Sequence, residues 1–163
     1  MPSRVAEAPY RIAHAFGAHA ELGAYFEDQD TLLYVAGRRL VTQKLSHHSM
    51  EISTDPPPQV RQVTATCIAP NRKYLACCER WVDDDEQGSP VGGGRESATR
   101  SLLVSRVRVV HITTKRSSAV LRAAVEGAFE ACVFSDDSQL IAACSGAPDF
   151  VAVVWRWSEE TSL

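Results

Sequence analysis

One phrase constrains this chain more than any other: a polar turn between apolar runs, written three times. It reads FEDQDTLLYVAG at residues 26–37, IAPNRKYLACCE at 68–79 and FSDDSQLIAACSG at 134–146. Phe26, Ile68 and Phe134 precede the turns, and bulky pairs follow them at Leu32-Leu33, Tyr74-Leu75 and Leu140-Ile141. Asp, Asn, Ser and Pro suit the turn positions because their side chains or rings stabilise tight backbone conformations. Each phrase reads as a β-hairpin, and three hairpins of one design predict a repeat.

The three anchors lie 42 and 66 residues apart. The inequality traces to the connection after the second hairpin. Cys78 to Val110 takes 32 residues, whereas the matching run from Cys144 to Trp155 takes 11. Without that surplus the period is about 42–45 residues, the length of a four-stranded WD40-type propeller blade. The predicted strands are 22–26, 31–36, 39–45 and a weak fourth near 49–53, then 63–68, 74–79, 105–112 and 119–123. The third unit supplies 129–134, 140–145 and 151–157, with no fourth strand expected after Trp157. AVLRAAVEGAFEA has a helical composition but falls where one unit hands over to the next.

The expected fold is therefore all-β: one domain over residues 1–163, a partial WD40-like β-propeller, open rather than closed. Blade 1 covers about 20–55, blade 2 about 60–123 with an insertion loop at 80–100, and an incomplete blade 3 about 127–158. Phe26, Ile68 and Phe134, with Leu33, Leu75 and Ile141, are expected at equivalent buried positions. The 80–100 loop is rich in Gly, Asp and Ser, and too polar to offset the entropy of ordering it.

A net charge of −3 speaks against nucleic acid as a partner, since such proteins carry a basic face. No apolar run reaches membrane-spanning length, and the N-terminus lacks the apolar stretch of a secretory signal. A soluble intracellular protein is expected. The five cysteines, Cys67, Cys77, Cys78, Cys132 and Cys144, form no C-x-x-C pair and read as small buried hydrophobes.

No catalytic, cofactor-binding or metal-binding set emerges. Asp83, Asp84, Asp85 and Glu86 lack the alternating ligand spacing of a cation loop, and GGGRES at 92–97 lacks the Lys-Ser/Thr of a phosphate loop. His47-His48 has no third ligand in register. The protein is expected to be no enzyme and to need no cofactor. Candidate protein-contact residues are Trp81, Asp83, Asp84 and Asp85 at the insertion, and Val153, Trp155 and Trp157 on the last strand. Trp81 either anchors a partner or packs back onto its own blade. The strand VAVVWRWS is expected to leave an open edge and an apolar outward face, which invite strand addition by another chain or aggregation.

The ordered set EDQDTLLYVAGRRLV, IAPNRKYLACCER and FSDDSQLIAACSGAPDFVAVVWRW resembles the N-terminal blades of the cilia- and flagella-associated protein 57 family of axonemal WD-repeat proteins. The resemblance spans about residues 10–157. It implies a non-enzymatic scaffold of the ciliary or flagellar axoneme that anchors dynein arms or neighbouring regulatory complexes. Its partners would be axonemal proteins, microtubule-associated subunits or a chain completing the propeller. A WD40 adaptor of another cytoplasmic assembly, such as a vesicle coat or ubiquitin ligase, is the alternative. The Trp-Asp pair of regular blades is replaced here by Trp155-Arg156, so apolar packing between blades is expected to hold them together.

Overall fold

The computed structural model describes residues 22–47, 49–52, 56–83, 102–158 and 161–162. Among these no helix occurs, and the strands form three four-stranded antiparallel sheets, none of which closes on itself. The first sheet contains β1 (Ala24–Phe26), β2 (Thr31–Ala36), β3 (Arg39–Lys44) and β4 (Met50–Ile52). The second contains β5 (Val60–Ile68), β6 (Tyr74–Asp83), β7 (Leu102–His111) and β8 (Ser117–Arg122). The third contains β9 (Phe129–Phe134), β10 (Leu140–Ser145), β11 (Ala152–Arg156) and β12 (Thr161–Ser162). In each, neighbours in sequence are neighbours in the sheet, so every pairing is antiparallel.

The turns follow from their polar residues. Asn71 Oδ1 accepts from the Lys73 amide at 2.9 Å, and Asp137 Oδ1 accepts from the Gln139 amide at 2.9 Å. The next residues, Arg72 and Ser138, both take left-handed backbone angles, with φ of 56° and 61°. The second and third hairpins are thus one turn used twice. In both, the anchor pairs seven positions on: Ile68 with Leu75, and Phe134 with Ile141.

The first turn is one residue shorter. Asp28 closes it by accepting from the amides of Asp30 and Thr31, each at 2.7 Å. Phe26 consequently pairs with Leu32, and Tyr25 takes the position opposite Leu33. Because side chains alternate across a strand, this change of one residue moves Phe26 to the other face. The expectation that Phe26 is buried is corrected: it is 51% exposed, and Tyr25 packs inward in its stead. Ile68 is half-buried, while Leu33, Leu75, Phe134 and Ile141 are buried as expected.

The second sheet is covered on both faces. Leu75, Cys77 and Val110 join Leu33, Val35 and Leu40 of the first sheet in one apolar cluster. Ala76, Cys78, Val107 and Val109 join Phe129, Ile141 and Trp155 of the third sheet in another. Covering both faces removes the need for polar alternation, so β6 opens with the unbroken apolar run YLACC. Backbone-directed hydrogen bonds cross both layers. The Tyr25 hydroxyl donates to the Thr66 carbonyl at 2.6 Å, and the Thr64 hydroxyl donates to the Phe129 carbonyl at 2.5 Å.

Two further expectations are corrected. Strands β6 and β7 run past the predicted loop boundaries, to Asp83 and from Leu102, because Trp81 and Val82 pair with Val104 and Leu103. Residues 84–101, the bulk of the expected insertion, lie outside the described residues. The third sheet also has a fourth strand: Thr161 and Ser162 pair with Arg156 and Trp155. No fourth strand is expected from the sequence after Trp157, but pairing draws on backbone groups alone, and a two-residue ladder suffices.

Candidate interaction face

The third sheet has two apolar rows on each face, set by register. Phe134, Ile141 and Trp155 lie side by side across β9, β10 and β11, as do Cys132, Ala143 and Val153. Both rows face the second sheet and join its core cluster. The intervening rows, Val133–Ala142–Val154 and Ala131–Cys144–Ala152, face away from it. Their side chains are small and apolar, so the outward surface is flat. Val133 is 59% exposed, and Ala131, Cys144 and Ala152 are exposed as well.

This surface is bordered by the β10–β11 connection. Asp149 holds that connection, its carboxylate accepting from the Glu126 amide at 2.5 Å and the Gly127 amide at 3.3 Å. The close approach requires glycine at 127, where a Cβ would stand 2.7 Å from the Ala147 carbonyl oxygen. Phe150 follows with a left-handed φ of 47°, an unfavourable conformation for an aromatic residue, and is 75% exposed. Val151 beside it is exposed.

The structure separates the predicted contact residues. Val153, Trp155 and Trp157 point toward the second sheet. Trp155 is fully buried and donates to the Arg122 carbonyl at 3.1 Å. Trp157 donates to the Ser138 carbonyl at 2.8 Å and lies 4.6 Å from the Tyr74 ring. The residues of β11 on the outward face are their neighbours Ala152, Val154 and Arg156, a shift of one position. Sequence reasoning missed Val133 and Phe150. The alternation of β9 carries a signal for Val133, whereas the turn GAPDF carries none for the exposure of Phe150.

Trp81 is likewise internal. Its indole donates to Glu79 Oε2 at 2.9 Å, and the Arg106 guanidinium lies 4.7 Å from the ring centre. Glu79 Oε1 in turn accepts from Arg108 Nε at 2.8 Å and pairs with Arg108 Nη2. Burial works against the charge of Arg108, but the Glu79 carboxylate outweighs it and holds the guanidinium above its usual pKa. Asp83 ends β6, and Asp84 and Asp85 lie outside the described residues. Among the described residues no group of three or more His, Cys, Asp or Glu side chains is arranged to hold a metal ion. No protein-family model matches the chain, and no curated protein matches it significantly in sequence.

Proposed function

We propose that the chain is a non-enzymatic scaffold built from three consecutive WD40-like blades of an open β-propeller, docking other proteins within the ciliary or flagellar axoneme. The observation that carries the docking role is the outward face of the third sheet. Its rows Val133–Ala142–Val154 and Ala131–Cys144–Ala152 leave an apolar sheet face in solvent. Both interfaces inside the chain pack sheet on sheet with residues of this kind, such as Ala76, Cys78, Val107 and Val109. The partner is therefore another protein that offers an apolar sheet face, and Phe150 at the rim is its aromatic anchor. Exposed apolar faces of this sort mark interaction sites. The axonemal setting rests on the ordered hairpin motifs, which resemble those of axonemal WD-repeat proteins.

Fractionation of ciliated cells expressing the tagged chain tests this reading. The protein should stay with the axoneme after detergent and leave only in high salt or chaotrope. V133K/V154K should release it into the detergent extract while leaving its melting temperature nearly unchanged, because both side chains face away from the core. Wild-type protein found wholly in the detergent extract would overturn the axonemal assignment. Retention equal to wild type in the double variant would overturn the docking face.

A further inference from the structure

Between the first and second sheets lies a cavity of about 250 Å³ that opens to solvent at Arg38 and Arg116. Val35 and Leu40 line it from the first sheet, and Val63, Cys77 and Val110 from the second. Four cationic residues share the lining: Arg38 from the β2–β3 turn, Arg108 in β7, and Lys115 and Arg116 from the β7–β8 turn. Two of them have partners. Arg108 pairs with buried Glu79, and the Lys115 ammonium lies 3.6 Å from the Glu27 carboxylate. The other two have no such partner among the described residues. Arg38 donates Nη1 to the Val60 carbonyl at 2.6 Å, a neutral acceptor that leaves its charge uncompensated. Arg116 pairs with no described carboxylate.

Each wall of the cavity thus carries one guanidinium with no counter-charge among the described residues, and apolar surface shares the lining with them. Guanidinium groups bind carboxylates through two parallel hydrogen bonds, a geometry that a planar fork of donors fits. A volume of 250 Å³ equals roughly eight water molecules at about 30 Å³ each, room for about ten non-hydrogen atoms. Inorganic phosphate would fill a fraction of it and leave the apolar lining bare.

We propose that this cavity binds a short organic dianion, two carboxylates joined by an apolar linker, with Arg38 and Arg116 each taking one carboxylate. Two sources offer that chemistry. One is a free dicarboxylic acid; the other is a polypeptide C-terminus ending in an acidic residue, whose main-chain and side-chain carboxylates form the pair. The proposal does not depend on the axonemal assignment.

The full chain titrated with adipate at constant ionic strength, by calorimetry and thermal shift, tests the free acid. Adipamide is the uncharged control. A hexapeptide ending in free Glu, against its C-terminally amidated form, tests the polypeptide source. Adipate or the free-acid peptide should bind and raise the melting temperature; uncharged adipamide should not. The amidated peptide, which keeps only its side-chain carboxylate, should bind more weakly than the free acid by about tenfold or more. Arg116→Gln should weaken binding by about tenfold or more, the loss expected for one charge-assisted contact. That residue is exposed, so its variant should melt as wild type does. Arg38→Gln should weaken binding similarly. Should it melt lower through loss of the Val60 contact, Arg116→Gln alone decides. No binding of either acid up to about 10 mM, a free energy too small for a specific site, would overturn the proposal. So would unchanged affinity in Arg116→Gln.

Discussion

Trp155 in the third sheet donates its indole N–H to the carbonyl of Arg122, the last residue of β8 in the second sheet, at 3.1 Å. The same ring is buried and meets Phe129 edge-on at 5.7 Å. One side chain therefore packs the layer between two sheets and satisfies a backbone carbonyl across it. Trp155→Ala should cost about 3–5 kcal/mol, as large-to-small aromatic changes in cores do. Trp155→Phe keeps most of the apolar area and loses the bond, so it should cost less, with about 1 kcal/mol from the bond itself. Urea denaturation of both variants checks the order. Equal losses would mean that the hydrogen bond, rather than packing, is what Trp155 supplies.

The buried pair of Glu79 and Arg108 should be costly to break from either side. Glu79→Gln leaves the guanidinium without its counter-charge, and Arg108→Met leaves a wholly buried carboxylate unpaired. Each should cost about 3–5 kcal/mol. Replacing both with apolar residues should cost less than the sum of the two, because neither charge is then stranded. A double-mutant cycle by chemical denaturation measures the difference, and strict additivity would contradict the pairing.

Two turn carboxylates give the fold an acid-sensitive component. Asp28 is held below the usual aspartate pKa first by the Asp30 amide and then by the Thr31 hydroxyl. Asp137 is held there first by the Ser135 hydroxyl and then by the Gln139 amide. A folded pKa below the unfolded value means that the stabilisation is complete above the unfolded value, near 3.8, and fades as pH falls through the folded one. Asp28→Ala and Asp137→Ala should melt below wild type at pH 7. The gap should narrow below about pH 3.8. Melting curves from pH 7 to pH 2 follow it, and a gap that widens on acidification would contradict the assignment.

Local chemistry made the hairpins legible, because a turn is written in adjacent residues: Asn71 before Arg72, Asp137 before Ser138. Phase was harder to read. The first turn is one residue shorter than the others, and that alone sends Phe26 outward and Tyr25 inward. A similar one-residue ambiguity on β11 led the sequence reading to Val153, Trp155 and Trp157 where Ala152, Val154 and Arg156 face out. Relationships between distant residues left no trace in the sequence. Glu79 meets Arg108 across 29 positions, and Arg38 shares a cavity with Arg116 because two sheets stack. The short β12 escaped notice because pairing of Thr161 and Ser162 draws on backbone groups that every residue carries.

The second sheet lies between the other two, whereas the third is covered, among the described residues, on one face. The native cysteines report on both. Cys77 and Cys78 sit in the covered layers and Cys144 on the outward face. Burial, followed by the nearby Glu79 charge, pushes the Cys77 thiol up to about 12, which further suppresses its reactive thiolate. Pulsed maleimide labelling of the native chain, read residue by residue in a mass spectrometer, should modify Cys144 within the first pulse. Cys77 and Cys78 should react only at the rate of global unfolding, and together. Labelling of Cys77 or Cys78 as fast as Cys144 in the native protein would contradict the stacked arrangement.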